Sequence, residues 1–220
     1  MSRGLGDVYK RQVDPECVAA ATDAATLLES LGHRVAATGA GPLADVGGLM
    51  ALGAVIGSAV AFDVDLWARR LGEPVVDLEP ATRRLLEVGR ATTGADYLAA
   101  LDELARFSRA VVAGYRDHDL ILTPTLPVLP HPLGTIDPAQ PVEAMQTEHG
   151  TLVSLLVPFD VTGQPAISLP MHVSAGGLPV GVQLVAPYGR EDRLIRVAAQ
   201  LEAAAPWADR HPPGTATATA

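Results

Sequence analysis

Apolar residues recur along this chain with two periods, and the two divide it into helices and short strands. Val18, Ala21, Ala25, Leu28 and Leu31 follow helical steps behind Asp14-Pro15-Glu16. There aspartate can cap, proline suits the first helical position and glutamate favours the first turn. Gly32 is the predicted stop, and His33 to Thr38 reads as a short strand leaving the helix. Gly39-Ala40-Gly41-Pro42-Leu43-Ala44 matches G-x-G-x-x-A. However, a helix precedes it, and Pro42 removes a backbone N–H where a phosphate would bind. It is read as a turn and helix start.

Val46 to Phe62 is uncharged and rich in Gly, Ala and Val. A spanning helix needs about 20 strongly apolar residues; this run is shorter and flanked by Asp45 and Asp63. Gly53 and Gly57 form a small-x-x-x-small pair that allows close packing. The prediction is a buried helix, amphipathic to Leu71 and ended by Gly72-Glu73-Pro74. Glu79-Pro80 starts a short helix through Val88. Thr92 or Thr93 caps a longer one to about Arg116, with Tyr97, Leu98, Leu101, Leu104, Ala105 and Val112 at steps of three and four. Asp119 to Thr123 reads as a buried strand closed by Pro124, and the proline-rich stretch to Pro141 as an extended loop. Leu152 to Val157 reads as a helix end. Ala166 to Leu169, closed by Pro170, and Val180 to Val185 are strands joined across Gly176-Gly177. Glu191 to Ala204 is an amphipathic helix with Leu194, Ile195, Val197, Ala198 and Leu201 inward.

Composition narrows the class. The chain has 220 residues, 48% hydrophobic and 19% charged, a globular profile. Its net charge of −9 (16 cations, 25 anions) disfavours nucleic acid as a partner. Membrane association is not expected either. Cys17 is the one cysteine, so there is no internal disulfide and no cysteine zinc cluster. That usage fits a reducing, cytoplasmic setting. Lys10 is the one lysine. It lies in Met1 to Gln12, where Asp7 to Gln12 resembles the translation of a transposon end used in DNA library preparation. Residues 1–12 are therefore expected to be a non-native leader, 13–207 one domain and 208–220 a disordered tail.

No free-standing catalytic motif is present. The chain lacks a G-x-S-x-G elbow, a phosphate loop and H-E-x-x-H. His33, His118, His131, His149, His172 and His211 show no metal-ligand spacing, and no metal or cofactor is expected. His118 lies between Asp117 and Asp119 and reads as a surface residue at a helix end. Ser154 and Ser168 need an adjacent base to act as nucleophiles. Asp63 and Asp65 point apart on a helix, and Asp102 and Glu103 read as a solvated face.

The last third carries longer signals. Pro158-Phe159-Asp160-Val161-Thr162-Gly163-Gln164-Pro165-Ala166-Ile167-Ser168-Leu169-Pro170 resembles the PFN-x-TGxPAxSxP segment of the amidase signature family. Gly177 to Val185 resembles its GLPVGVQLV segment. Asp119-Leu120-Ile121-Leu122-Thr123-Pro124-Thr125, the helix from Glu191 and Pro206-Trp207 agree in order, and the resemblance covers Val13 to about Pro213. It implies an α/β fold, the C-terminal half of the amidase signature fold, with a mixed central sheet covered by helices. It also implies hydrolysis of a small-molecule carboxamide through a serine acyl-enzyme, with a bridging serine, a lysine and a glycine-rich oxyanion loop.

Those groups lie upstream in the family. No Gly-Gly-Ser-Ser-Gly-Gly occurs here, so no catalytic residue is assigned, and the polypeptide as given is expected to be inactive. Thr162, Gly163, Gln164 and Pro165, with Gly53 and Gly57, are the candidate pocket-lining residues; core packing is the competing reading of each. Asp160 stands where the family has asparagine. Two alternatives remain: the amidase subunit of a tRNA-dependent amidotransferase, disfavoured by Val153 where those subunits carry aspartate, and a non-catalytic binding module. A homodimer is left open. An upstream half lost from one sheet would leave open strand edges and exposed apolar surface.

Overall fold

The computed structural model describes residues 13–137 and 150–211. The expected leader and most of the expected tail lie outside them, as does the end of the proline-rich loop. Among the described residues, three strands form one sheet: β1 (Ile121–Pro124), β2 (Ala166–Val173) and β3 (Pro179–Val185). Their order is β1-β3-β2, and both pairings are antiparallel. The mixed sheet implied by the resemblance is thus represented here by three antiparallel strands. β3 is central and reads as an almost continuous apolar run, as a strand covered on both faces should.

Helices cover each face. α1 (Pro15–Ser30) and α7 (Glu191–Ala204) take one side. Leu28, Leu194, Val197 and Leu201 pack there with Leu169 and Leu184, and Ala21 and Ala24 meet Val182. The alanines of α1 let its backbone approach the sheet. Asp14 caps α1 by accepting from the Glu16 N–H. On the other face, α5 (Gly94–Gly114) brings Phe107 and Val111 against Val185 and Phe159. Thr93 and Asp96 make a reciprocal capping box at its start, which satisfies two N–H groups at the helix end.

The structure corrects several expectations. His33 to Thr38 forms no strand; no ladder partner meets it, and Val35 packs on the Leu28–Leu184 cluster instead. β2 runs past Pro170 to Val173, with a register irregularity between Leu169 and His172. Proline is tolerated there because β2 is an edge strand. Ile195 is 67% exposed rather than inward, since α7 meets the sheet along Leu194, Val197 and Leu201. Leu152 to Val157, expected to end a helix, instead leads into a further short one, α6 (Val157–Thr162).

The largest correction concerns the apolar helix. It is split into α2 (Val46–Met50) and α3 (Leu52–Leu71), ended by Gly72 in the left-handed region at φ 76°. By length and composition Gly47–Leu71 could cross a membrane, but it packs as a hairpin with α4 (Pro80–Ala91). It is not buried: Ile56, Phe62, Trp67 and Leu71 are all exposed. The run is apolar on every side, yet α4 covers one side. At the crossing, a Cβ on Gly89 would lie 1.9 Å from the Gly57 carbonyl oxygen, and one on Gly57 would lie 2.9 Å from the Gly89 nitrogen. Gly53 has open space around it.

Two glycine-to-alanine variants should therefore behave oppositely. Gly89→Ala meets backbone that cannot yield and should destabilise by about 2–3 kcal/mol. Gly53→Ala should stabilise by roughly 0.5–1 kcal/mol through helix propensity. Urea denaturation of the two proteins checks both signs.

Candidate functional site

The turn Thr162–Pro165 is built by its neighbours. Pro158 lies in the first turn of α6, and Gly163 ends the helix in the left-handed region at φ 71°, a conformation glycine adopts without steric cost. The buried Thr162 hydroxyl donates to the Phe159 carbonyl at 3.1 Å and accepts from the Gln164 N–H at 3.3 Å. The Tyr188 hydroxyl donates to the Thr162 carbonyl. The Gln164 side-chain amide donates to the Ala186 carbonyl at 3.2 Å, and the Ala186 N–H donates to the Pro165 carbonyl at 2.9 Å. The Gln164 Oε1 is buried without a hydrogen-bond partner. This is a pinned backbone turn leading directly into β2.

The other two candidates lie elsewhere. Gly57 is enclosed by Gly89, Leu85 and Val88, and Gly53 faces open space. The structure does not bring either into a shared cluster with the turn. α2 and α5 each contact both α3 and α6, so the two groups flank the same pair of helices.

A polar row crosses the sheet face that carries Val185. The Gln183 amide donates to the Thr123 hydroxyl and to the Leu155 carbonyl, both at 3.2 Å and buried. Ser168, opposite Gln183 in register, reaches diagonally to Thr125, opposite Gly181, and the two hydroxyls lie 2.6 Å apart. Gly181 makes room for them, since a Cβ there would sit 2.8 Å and 2.9 Å from the two oxygens. Periodicity could not find this row, because it joins three strands across the sheet; only the strand register reveals it.

None of these groups makes a nucleophile with its base. Ser154 donates to the Thr151 carbonyl at 2.9 Å, and Ser168 is engaged with Thr125. His118, expected at the surface, is partly buried edge-on to Tyr115 with ring centroids 6.3 Å apart, and its Nδ1 is buried without a hydrogen-bond partner. Its flanking carboxylates turn to arginines, Asp117 to Arg116 and Asp119 to Arg193. Asp65 pairs with Arg90 at 3.1 Å. Among the described residues, no group of three or more His, Cys, Asp or Glu is placed to hold a metal. Cys17 is 1% exposed, and burial, then Asp14 and Glu16, push its thiol up to about 11. Such a thiol is inert rather than nucleophilic.

The family model described as Amidase matches residues 5–195. The chain belongs to the amidase signature family. Within that family it is 36% identical over 210 residues to the 6-aminohexanoate-cyclic-dimer hydrolase of Pseudomonas sp. (strain NK87), covering 91% of this chain and 42% of that protein. A solved structure of 6-aminohexanoate cyclic dimer hydrolase complexed with substrate superimposes with a TM-score of 0.88 at 34% identity. It covers 94% of this chain and 45% of the hydrolase. A glutamyl-tRNA(Gln) amidotransferase subunit of Cyanothece sp. (strain PCC 7425 / ATCC 29141) is 30% identical over 138 residues, 60% of this chain and 27% of that protein. The chain thus spans less than half the length of these amidase relatives.

Asp160, where the family has asparagine, lies exposed in the first turn of α6. A carboxylate there is favoured by the helix dipole. Asp160→Asn should lower stability by less than about 1 kcal/mol, read from a denaturation midpoint. Cys17 should resist iodoacetamide in the native protein and react once the chain is unfolded. Its raised folded pKa favours the native state below the unfolded value of 9.0. That contribution should fade as pH rises from there towards 11, measured as a falling midpoint that Cys17→Ala removes.

Proposed function

We propose that this chain is the C-terminal part of an amidase that hydrolyses a small-molecule amide to a carboxylate and an amine. On this reading the serine nucleophile, bridging serine, lysine and oxyanion donors lie in a portion upstream, and the present chain completes the sheet and part of the substrate pocket. The observation that carries the reading is agreement in sequence and shape over nearly the whole chain with the hydrolase of 6-aminohexanoate cyclic dimer. A short aliphatic amide of that type is the substrate class it favours. Thr162, Gly163, Gln164 and Pro165 remain the candidate lining, with Gly53 and Gly57 on α3. The free Oε1 of Gln164 is an acceptor suited to an N–H. A reducing, cytoplasmic setting fits the single buried thiol.

The amidotransferase reading is weaker. Its match spans 60% of this chain, and Val153 offers no carboxylate at the position where those subunits carry aspartate.

The test is co-expression of this chain with the complementary portion of the Pseudomonas hydrolase. The chain alone should release no amine from 6-aminohexanoate cyclic dimer or from short aliphatic and aryl amides. The assembled pair should release amine from at least one of them. A well-formed complex that leaves the whole panel intact, under conditions where the full hydrolase turns over, would sink the amidase reading.

A further inference from the structure

The exposed side of α3 is left uncovered by the other described residues. Ile56, Ala59 and Phe62 follow one another at steps of three, and Trp67 lies about three turns on from Ile56, with the Arg70 guanidinium 5.3 Å from its ring centroid. Phe62 is 60% and Trp67 52% exposed. No charge occurs from Gly47 to Phe62. A helix apolar all round is stable in water when all of it is covered, and exposed apolar patches of this kind mark interfaces.

A bilayer fits poorly as the cover. The 16 uncharged residues from Gly47 to Phe62 would span about 24 Å as one helix, short of a hydrocarbon core of about 30 Å. They are broken between α2 and α3, and Asp63 interrupts the exposed side. The net charge of −9 also repels anionic headgroups.

Polypeptide fits better. The shape shared with the cyclic-dimer hydrolase covers 94% of this chain but 45% of that protein. The hydrolase that shares this hairpin therefore has more chain outside the matched part than within it. We propose that the exposed face of α3 is the seat of that complementary portion, and is neither a face for a second copy nor a lipid contact. The inference rests on the reading that this chain is part of a longer amidase. The seated surface is apolar opposite Ile56, Ala59 and Phe62. It presents a basic group to Asp63, for which no ion pair is formed among the described residues.

The experiment uses this chain in a Trp207→Phe background, which leaves Trp67 as the sole tryptophan. It is co-expressed with the complementary portion of the Pseudomonas hydrolase. A one-to-one complex should form, and Trp67 emission should shift to the blue relative to the chain alone. Ile56→Asp and Phe62→Asp should each weaken the complex by about tenfold or more. Leu98→Asp, on exposed α5 surface, should not, and circular dichroism should show unchanged helix content in all three. The proposal is overturned if no complex forms, or if it forms with unchanged affinity and unshifted Trp67 emission in the variants. It is also overturned if the chain alone forms a dimer that Phe62→Asp dissolves, or binds phosphatidylcholine vesicles through this face. Amine release separates the two readings. A complex that depends on α3 but hydrolyses nothing keeps this inference and rejects the activity. A hydrolysing complex indifferent to the α3 variants does the reverse.

Discussion

The fold depends on β3 being paired along both edges and covered on both faces. Val182, Leu184, Val185 and Ala186 are essentially without solvent contact. One face of the strand fixes where α1 and α7 lie, and the other fixes α5 and α6. A slip of one residue would exchange the two faces, placing Gln183 among the leucines of α7 and Leu184 against the Thr123 hydroxyl. The buried Gln183 amide therefore acts as a register pin. Its donors find the Thr123 hydroxyl and the Leu155 carbonyl only in the observed alignment, and a buried amide without partners costs about 1–3 kcal/mol.

What is legible in the sequence is what local rules decide. α7 begins at Glu191 and ends at Ala204 as the acidic first turn and the Leu194–Leu201 spacing indicate. α1 begins behind its Asp14-Pro15 signal, and Gly72 ends α3. What fails is decided by distant partners. Val46 to Phe62 has the composition of a core helix, but composition does not say whether this chain holds the second layer. His33 to Thr38 has strand-like residues and no strand to pair with. Pro170 reads as a terminator because its ring removes a donor; on an edge that donor is not needed. α6 escapes because six residues give too little period to read, although Pro158 and Gly163 mark its two ends.

The candidate site divides in the same way. The turn at Thr162 is legible as a motif, and its rigidity comes from Tyr188 and Ala186, which follow it by more than 20 residues. The hydroxyl pair of Thr125 and Ser168 is not legible at all, since neither residue forms a motif with the other in sequence. Both features border β3, so the geometry of any pocket that this chain helps to build is inherited from that strand.

The alternation of hydrogen bonds has one more consequence. The Ala186 N–H reaches the Pro165 carbonyl and the Thr125 N–H reaches the Gly181 carbonyl. Counting from these, Ala166, Ser168 and Pro170 turn their backbone away from β3, and so do Leu122 and Pro124 on the opposite flank. At Pro170 that outer flank has no N–H, and the irregularity beside it bends the ladder. Pro124 on the other flank likewise has no N–H, while Leu122 beside it keeps both groups. Each outer flank of the sheet thus carries one proline beside residues that keep both backbone groups, so a further strand could pair along part of either edge but along the full length of neither.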